Sequence, residues 1–220
     1  MSSLGPKQQI FVSLAEIAQA ISHAHRLEIL EHLAQGERSV EELADRVGLS
    51  IANASRHLQI LRRVRLAEPR RDGKRMLYRL VGETDVITLL TVLGRIGERN
   101  TAEIQIVMAR YFRTRDALEP ISRDELLARM SHGCMTLLDV RPEDEFAQGH
   151  LPGAMNIPLA VLEQQVARLP QGQQIIAYCR GPYCVLSVEA AARLRTLGFE
   201  VRRLADGYPE WKAAGLPVEI

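Results

Sequence analysis

The 220 residues contain little that belongs to an exported or membrane-bound protein. Three cysteines, Cys134, Cys179 and Cys184, are too few for the disulfide framework of a short secreted chain, and odd in number. The opening "MSSLGPKQQ" lacks the basic start and apolar stretch of an export signal, and no run of about 18 uncharged apolar residues offers a membrane helix. A cytoplasmic protein without membrane attachment is expected, with sulfur chemistry that is reactive rather than structural. Net charge is nearly absent too. The 28 basic and 27 acidic residues leave +1, but division after Glu119 gives +3 for the first part (18 basic, 15 acidic) and −2 for the rest (10 and 12). That asymmetry only hints at a polyanion partner, so local clustering must carry the inference. The length and an apolar fraction of 46% suit two modest cores.

What is present begins with helical periodicity. Phe11, Val12, Leu14, Ile17, Ala18 and Ile21 recur mostly at three- and four-residue steps, and "AHRLEILEHLAQG" follows as a second helix with Gly36 placed to end it. In "RSVEELADRVGLS", Ser39 and Glu42 fit a capping box and Gly48 closes the helix, so another must start at once. That helix opens on Ser50 and reads "SIANASRHLQILRRV". Ala54, Leu58 and Leu61 face inward; Ile51, Asn53, Ser55, Arg56, His57 and Gln59 are outward or flanking, a largely hydrogen-bonding set suited to base edges and phosphates. Two helices joined by a short glycine turn make a helix-turn-helix. After it, "LAEPRRDGKRMLYRL" sets Asp72-Gly73, a type I′ hairpin signal, between strand-like arms. Arg70, Arg71, Lys74, Arg75 and Arg79 make that hairpin a basic wing suited to a phosphate backbone. A basic hairpin alone is more often a solvated surface; its place directly after a helix-turn-helix favours DNA.

The stretch "LSIANASRHLQILRRVRLAEPRRDGKRMLYRL" resembles the winged helix of ArsR-type transcriptional regulators over residues 11–112. Ser55, His57, Leu58 and Leu61 fall on that family's S-x-H-L-x-x-L run, while Arg65 stands where the family usually has the glycine that ends its recognition helix. The resemblance implies a homodimer that binds pseudo-palindromic double-stranded operator DNA and represses transcription. In support, "VITLLTVLGRIGERNTAEIQIVMARYF" is a long helical pattern whose Val86, Leu89, Leu90, Leu93 and Ile96 exceed what one small winged domain covers, although Gly94 and Gly97 weigh against an unbroken helix. The cysteine pairs and Asp/His sets by which many relatives sense metals are missing: residues 40–47 hold no cysteine and 86–112 no histidine. No metal and no cofactor is expected.

After the polar, proline-containing "RTRDALEPIS", strand and helix signals alternate: "MTLLDV", "RPEDEFAQG", "AMNIP", "LAVLEQQVARL", "QIIAY", "VLSVEAAARLRTLG", "EVRRL" and "YPEWKAAG". The fold class expected is therefore two domains, a mainly-α winged helix-turn-helix (1–112) and, past a linker (113–120), an α/β domain (121–220) with a mostly parallel central sheet. In such sheets ligands sit beyond the carboxyl ends of strands, and Cys179 follows directly on "QIIAY". The loop Cys179, Arg180, Gly181, Pro182, Tyr183, Cys184 then meets a helix N-terminus, whose inward N–H groups and dipole favour an anion and a thiolate; Arg180 adds positive charge. Cys179 is read as a nucleophile against the alternative of a small buried hydrophobe. Cys184 is equally a resolving thiol or a core residue. Two cysteines alone are too few ligands for zinc.

"LLDVRPEDEFAQGHLPGAMNIPL", "YCRGPYC" and "DGYPEWKAAGLPVEI" together resemble a rhodanese, or sulfurtransferase, domain over residues 121–220. The resemblance implies that Cys179 accepts a sulfane sulfur as a persulfide held by the loop backbone. The donor would be thiosulfate, a polysulfide or a low-molecular-weight persulfide. Asp139, Arg141, Glu145, His150, Gly153 and Asn156 fall on family positions expected to brace the fold, and Gly207, Tyr208, Trp211 and Gly215 on the closing signature. Val185 occupies the place where a related phosphatase loop carries arginine, which disfavours phosphoryl chemistry. Cys184 stands where rhodaneses more often carry a basic or hydroxyl residue, Gly181 is one place early and Pro182 removes an N–H, so small persulfides suit the loop better than thiosulfate. The expectation is a DNA-binding regulator that senses or processes reactive sulfur through Cys179; the alternative is a sulfurtransferase tethered to a DNA-binding domain.

Overall fold

Capping decides where the first helices start and stop. The structure, a computed structural model, describes residues 5–114, 120–130 and 135–220, so Cys134 and most of the expected linker lie outside the described residues. Contacts divide the chain into two compact units, Met1–Val86 and Ile87–Ile220.

The first unit runs α1 (Pro6–Ile21), α2 (Ala24–Ala34), β1 (Arg38–Ser39), α3 (Val40–Arg46), α4 (Ile51–Arg63), β2 (Ala67–Asp72) and β3 (Arg75–Leu80). The expected capping box is formed: the Glu42 N–H donates to Ser39 Oγ at 3.2 Å and the Ser39 N–H to Glu42 Oε2 at 2.7 Å. Gly48, at φ 65°, ends α3, and the Leu49 N–H reaches back to the Ala44 carbonyl. The end of α4 has the same geometry without a glycine. Arg65 sits at φ 58°, its N–H on the Arg62 carbonyl and that of Leu66 on the Leu61 carbonyl, so the departure noted in sequence holds a left-handed backbone that favours glycine. Ile29, Leu30, Leu33, Leu43, Ala54, Leu58 and Leu61 are fully or almost fully buried, each large aliphatic side chain contributing about 1.5–3 kcal/mol. A three-stranded antiparallel sheet in the order β1-β3-β2 carries the wing.

The hairpin turn differs by one residue from the expectation. Asp72 pairs with Arg75, which leaves Gly73 and Lys74 as the two loop residues. Gly73 takes φ 59° while Lys74 is not left-handed, the pattern of a type II′ turn rather than I′. Glycine at the first loop position meets the sole demand for positive φ, so Lys74 keeps an unstrained backbone.

α5 (Glu83–Asn100) passes through Gly94 and Gly97 without a break and stops at Thr101, whose φ of −116° and ψ of 112° leave the helical region. α6 (Ala102–Val107) follows and runs into a π-helical turn, Met108–Arg113. The rest of the second unit is α7 (Arg123–Met130), β4 (Met135–Asp139), α8 (Glu143–Phe146), β5 (Met155–Asn156), α9 (Leu162–Gln165), β6 (Gln174–Tyr178), α10 (Val185–Thr196), β7 (Val201–Arg203) and α11 (Tyr208–Ala213). The four strands form an all-parallel sheet in the order β5-β4-β6-β7. The stretch read as one helix, "LAVLEQQVARL", is α9 flanked by single 3-10 turns at Leu159–Val161 and Val166–Arg168. Leu159, Val161, Leu162 and Val166 all pack on one core, and Val161 lies off the stripe of an ideal helix, so the backbone tightens to bring it in.

Alternation along β6 sets the site. Ile175, Ala177 and Cys179 join the core cluster that also holds Ala190, Ala191 and Leu194 of α10, whereas Ile176 and Tyr178 join the opposite cluster with Tyr208 and Trp211. Among the described residues no helix is long and apolar enough to cross a membrane.

Candidate functional site

Cys179 is the first residue past β6 and 1% exposed. Its Sγ lies 3.2 Å from Ser187 Oγ in the first turn of α10, 3.7 Å from the Cys184 carbonyl and 4.0 Å from that of Gly181. Cys184 caps α10, and its N–H closes the loop on the Gly181 carbonyl at 3.1 Å. Burial alone would raise the Cys179 pKa. Hydrogen bonds from the Cys184 side chain, from the Ser187 hydroxyl and backbone and from the Gly181 backbone outweigh it and hold the thiol below its ordinary value. Cys184 is pushed well above its own ordinary value, first by its hydrogen bond to Cys179 and then by burial, so it stays protonated and serves as a donor to Cys179. The loop meets the N-terminus of α10, and the two thiols are shifted in opposite directions by their surroundings.

The loop is held from behind. The Tyr208 N–H donates to the Cys179 carbonyl at 3.0 Å, and a Cβ on Gly207 would come within 2.5 Å of the Arg180 carbonyl carbon and 2.6 Å of the Cys179 oxygen, so only glycine permits this approach. The Arg180 guanidinium grips the fully buried Glu145 carboxylate, Nε to Oε2 at 2.9 Å and Nη2 to Oε1 at 2.8 Å. Glu145 and Arg180 thus form one brace between α8 and the loop. Asp139 and Arg141, both fully buried, pair at 2.6 Å; Arg141 also donates to the Gly149 carbonyl at 2.8 Å and lies 4.4 Å from the Tyr208 ring centroid. Asn156 Nδ2 donates to the Asp139 and Arg141 carbonyls at 3.0 Å each. His150 stacks on Phe146, ring centroids 3.7 Å apart, and sits 3.6 Å from Glu219. Pro182 is half-buried, and Tyr183 donates its hydroxyl to Glu98 Oε1 at 2.6 Å.

Sequence reasoning missed Ser187 and the residues of α5 that meet Tyr183. A hydroxyl amid the buried run Val188, Ala190, Ala191 and Leu194 was the available signal for the first. Nothing in the spacing pointed to the second, because the contact joins residues 85 positions apart. Among the described residues no group of three or more His, Cys, Asp or Glu is placed to hold a metal ion.

In the first unit, Asn53, Arg56 and Gln59 project from α4 into solvent. The Ser50 hydroxyl accepts from the Asn53 N–H at 3.3 Å and so serves the helix cap. Ser55 is half-buried. His57 is half-buried as well, its ring 4.6 Å from that of His23 and 6.0 Å from His25, with Nδ1 buried and without a hydrogen-bond partner. Burial, with the charges of His23, Arg26, His25 and Arg56, lowers its pKa. On the wing, Arg70 Nε donates to Glu37 at 2.7 Å and Arg79 Nε to Glu68 at 2.9 Å. Arg71 Nε donates to the Gly73 carbonyl at 3.2 Å, and Lys74 and Arg75 stand exposed.

Residues 21–70 match the model of a helix-turn-helix domain and residues 122–214 that of the rhodanese-like domain. The chain is 41% identical over 213 residues to the HTH-type transcriptional regulator Rv0324 of Mycobacterium tuberculosis, covering 97% of this chain and 93% of that protein. Over 83 residues the chain is 31% identical to a sulfurtransferase of Allochromatium vinosum, 37% of this chain and 76% of that one. A solved structure of the homodimeric winged helix-turn-helix DNA-binding domain Mb0332 from Mycobacterium bovis aligns with TM-score 0.42 and 35% identity, over 47% of this chain and 95% of that one. With helix-turn-helix and wing in order and an all-parallel domain behind them, the chain belongs to the HTH-type transcriptional regulators that join an ArsR-like winged helix-turn-helix to a rhodanese-like domain.

Proposed function

We propose that the protein is a homodimeric, sulfur-responsive DNA-binding regulator, with residues 1–112 holding operator DNA and dimerising and residues 121–220 reading reactive sulfur. The observation that carries the reading is the Cys179 sulfur itself, buried yet with its pKa held below the ordinary thiol value by hydrogen bonds from Cys184, Ser187 and the loop. The thiolate attacks the outer sulfur of a polysulfide or small persulfide R–S–S⁻. The donor's S–S bond breaks, R–S⁻ leaves with the electron pair, and Cys179 becomes a persulfide. Gly181, Pro182, Tyr183 and the capping Cys184 form the cradle, Arg180 holds it through Glu145, and Asp139, Arg141 and His150 brace the domain. Asn53, Arg56 and Gln59, with Ser50, Ser55 and His57, contact bases and neighbouring phosphates from α4, while Arg70, Arg71, Lys74 and Arg75 follow the backbone. Leu89, Leu93 and Ile96, exposed on α5, support a second copy as its cover.

The test measures operator affinity at fixed salt before and after polysulfide, in wild type and Cys179→Ser, with mass spectrometry of the peptide holding Cys179 and Cys184. An affinity change that tracks a sulfur adduct and vanishes in the variant supports the sensor. An adduct that leaves affinity unchanged supports the second reading, a sulfurtransferase carried on a DNA-binding domain, which the likeness to the Allochromatium vinosum enzyme favours.

A further inference from the structure

The loop that holds Cys179 is tied at both ends, and its two ties differ. At its base, Cys179 and Arg180 are fixed to the core by the Tyr208 N–H and by buried Glu145. At its tip, Tyr183 rests on α5 within the same unit. Gly94 opens the seat: a Cβ there would lie 2.9 Å from Tyr183 Cε2 and 3.0 Å from Cζ. One helical turn on, Glu98 accepts the phenol hydroxyl at 2.6 Å. Glycine inside a helix is unfavourable, and here the missing Cβ leaves the space that the Tyr183 ring fills. Burial and the Glu98 carboxylate both raise the Tyr183 pKa, keeping the phenol protonated as a donor. A second clasp runs alongside, the Tyr111 hydroxyl donating to Glu189 Oε1 of α10 at 2.8 Å. Cys179 meanwhile is 1% exposed, so a sulfur donor reaches it only when the loop moves.

We propose that Tyr183 is a latch between the sulfur-binding loop and α5: seated against Gly94 and Glu98 it closes the loop over Cys179, and sulfur loading of Cys179 unseats it and loosens α5. The proposal rests on the reading of Cys179 as the sulfur-accepting nucleophile. Regulation requires an element with two arrangements that the modified site biases, and the Tyr183 seat is such an element.

The full-length protein tests it through two readouts. The rate of Cys179 alkylation by iodoacetamide, followed by mass spectrometry of its peptide, is expected to rise roughly tenfold in Glu98→Gln and in Tyr183→Phe, the effect of weakening one hydrogen bond to a charged acceptor. The double variant is expected to add little to either single change, since both remove one contact. Gly94→Ala, which favours the helix while filling the seat, is expected to do the same. Amide exchange over residues 87–100 is expected to quicken after polysulfide in the wild type and not in Cys179→Ser. Unchanged alkylation in Glu98→Gln and Gly94→Ala overturns the latch. If Cys179 takes no sulfur from polysulfide, the reading of the site fails separately, and the alkylation rates still decide whether Tyr183 gates it.

Discussion

Replacing Asp139 by alanine should destabilise the second unit severely, through the charge it leaves behind rather than the contact it removes. Asp139 and Arg141 are both fully buried, and the carboxylate takes the Arg141 backbone N–H at 2.9 Å as well as Nε at 3.0 Å and Nη2 at 2.6 Å. Without it, the guanidinium keeps the Gly149 carbonyl and the Tyr208 ring but has lost its counter-charge where water does not reach. Breaking a buried pair in this way costs about 3–5 kcal/mol, against a total stability of about 5–15 kcal/mol for a domain. With a urea m-value of about 2 kcal/mol/M, the midpoint falls by about 2 M. Trp211 is the sole tryptophan, 1% exposed in the core cluster that holds Tyr178 and Tyr208, so its fluorescence reports this unit's unfolding directly. Adding Arg141→Met to Asp139→Ala removes the stranded charge and should recover part of the loss. A midpoint within about 0.5 M of wild type for Asp139→Ala, or a double variant worse than the single one, would refute the reasoning, because ΔΔG and midpoint are linked by m.

Three further outcomes follow from local geometry. Arg65→Gly should stabilise the first unit by up to about 1 kcal/mol, the relief of a left-handed residue exceeding the entropy that glycine adds to the unfolded chain; urea unfolding of the variant checks it. Because His57 has a lowered pKa, the unfolded chain binds its proton first, so the first unit loses stability as pH falls from 7 through 6.5, and the loss is complete once the folded form is protonated too; His57→Gln should flatten that slope in unfolding curves at several pH values. Ser187→Ala removes a donor 3.2 Å from Cys179 and should move the alkylation pH profile to higher pH, whereas an unmoved profile would put the thiolate's stabilisation elsewhere.

The helices and the sheet were legible because their signals are local. Ser39 with Glu42, Ser50 and Gly48 mark helix ends through bonds spanning three to five residues, and the alternation of β6 is written in "QIIAY". The hairpin was placed correctly but turned one residue late, since Asp-Gly and Gly-Lys compete for the two loop positions and only Gly73 needs positive φ. The position of Cys179 could be read from strand, loop and helix in succession. Its partners could not. Sequence gives Arg180 only its charge beside the sulfur, yet its geometry answers to Glu145, 35 residues away, and gives His57 only its helical position, while its ring packs on that of His23. By propensity Gly94 weakens its helix, while in space it lies against Tyr183, which sequence spacing does not bring near.

The alternation that turns Cys179 inward among Val188, Ala190 and Leu194 has a volumetric consequence. Interiors are packed as densely as molecular crystals, and one extra methylene in such a place typically costs about 1–3 kcal/mol. A sulfur atom joined to Cys179 is larger than a methylene. The coupling free energies by which one site governs another are also about 1–3 kcal/mol. Were Cys179 to take up sulfur as proposed, the overpacking from that one atom would be of the same size as such a coupling, before any charge it brings is counted.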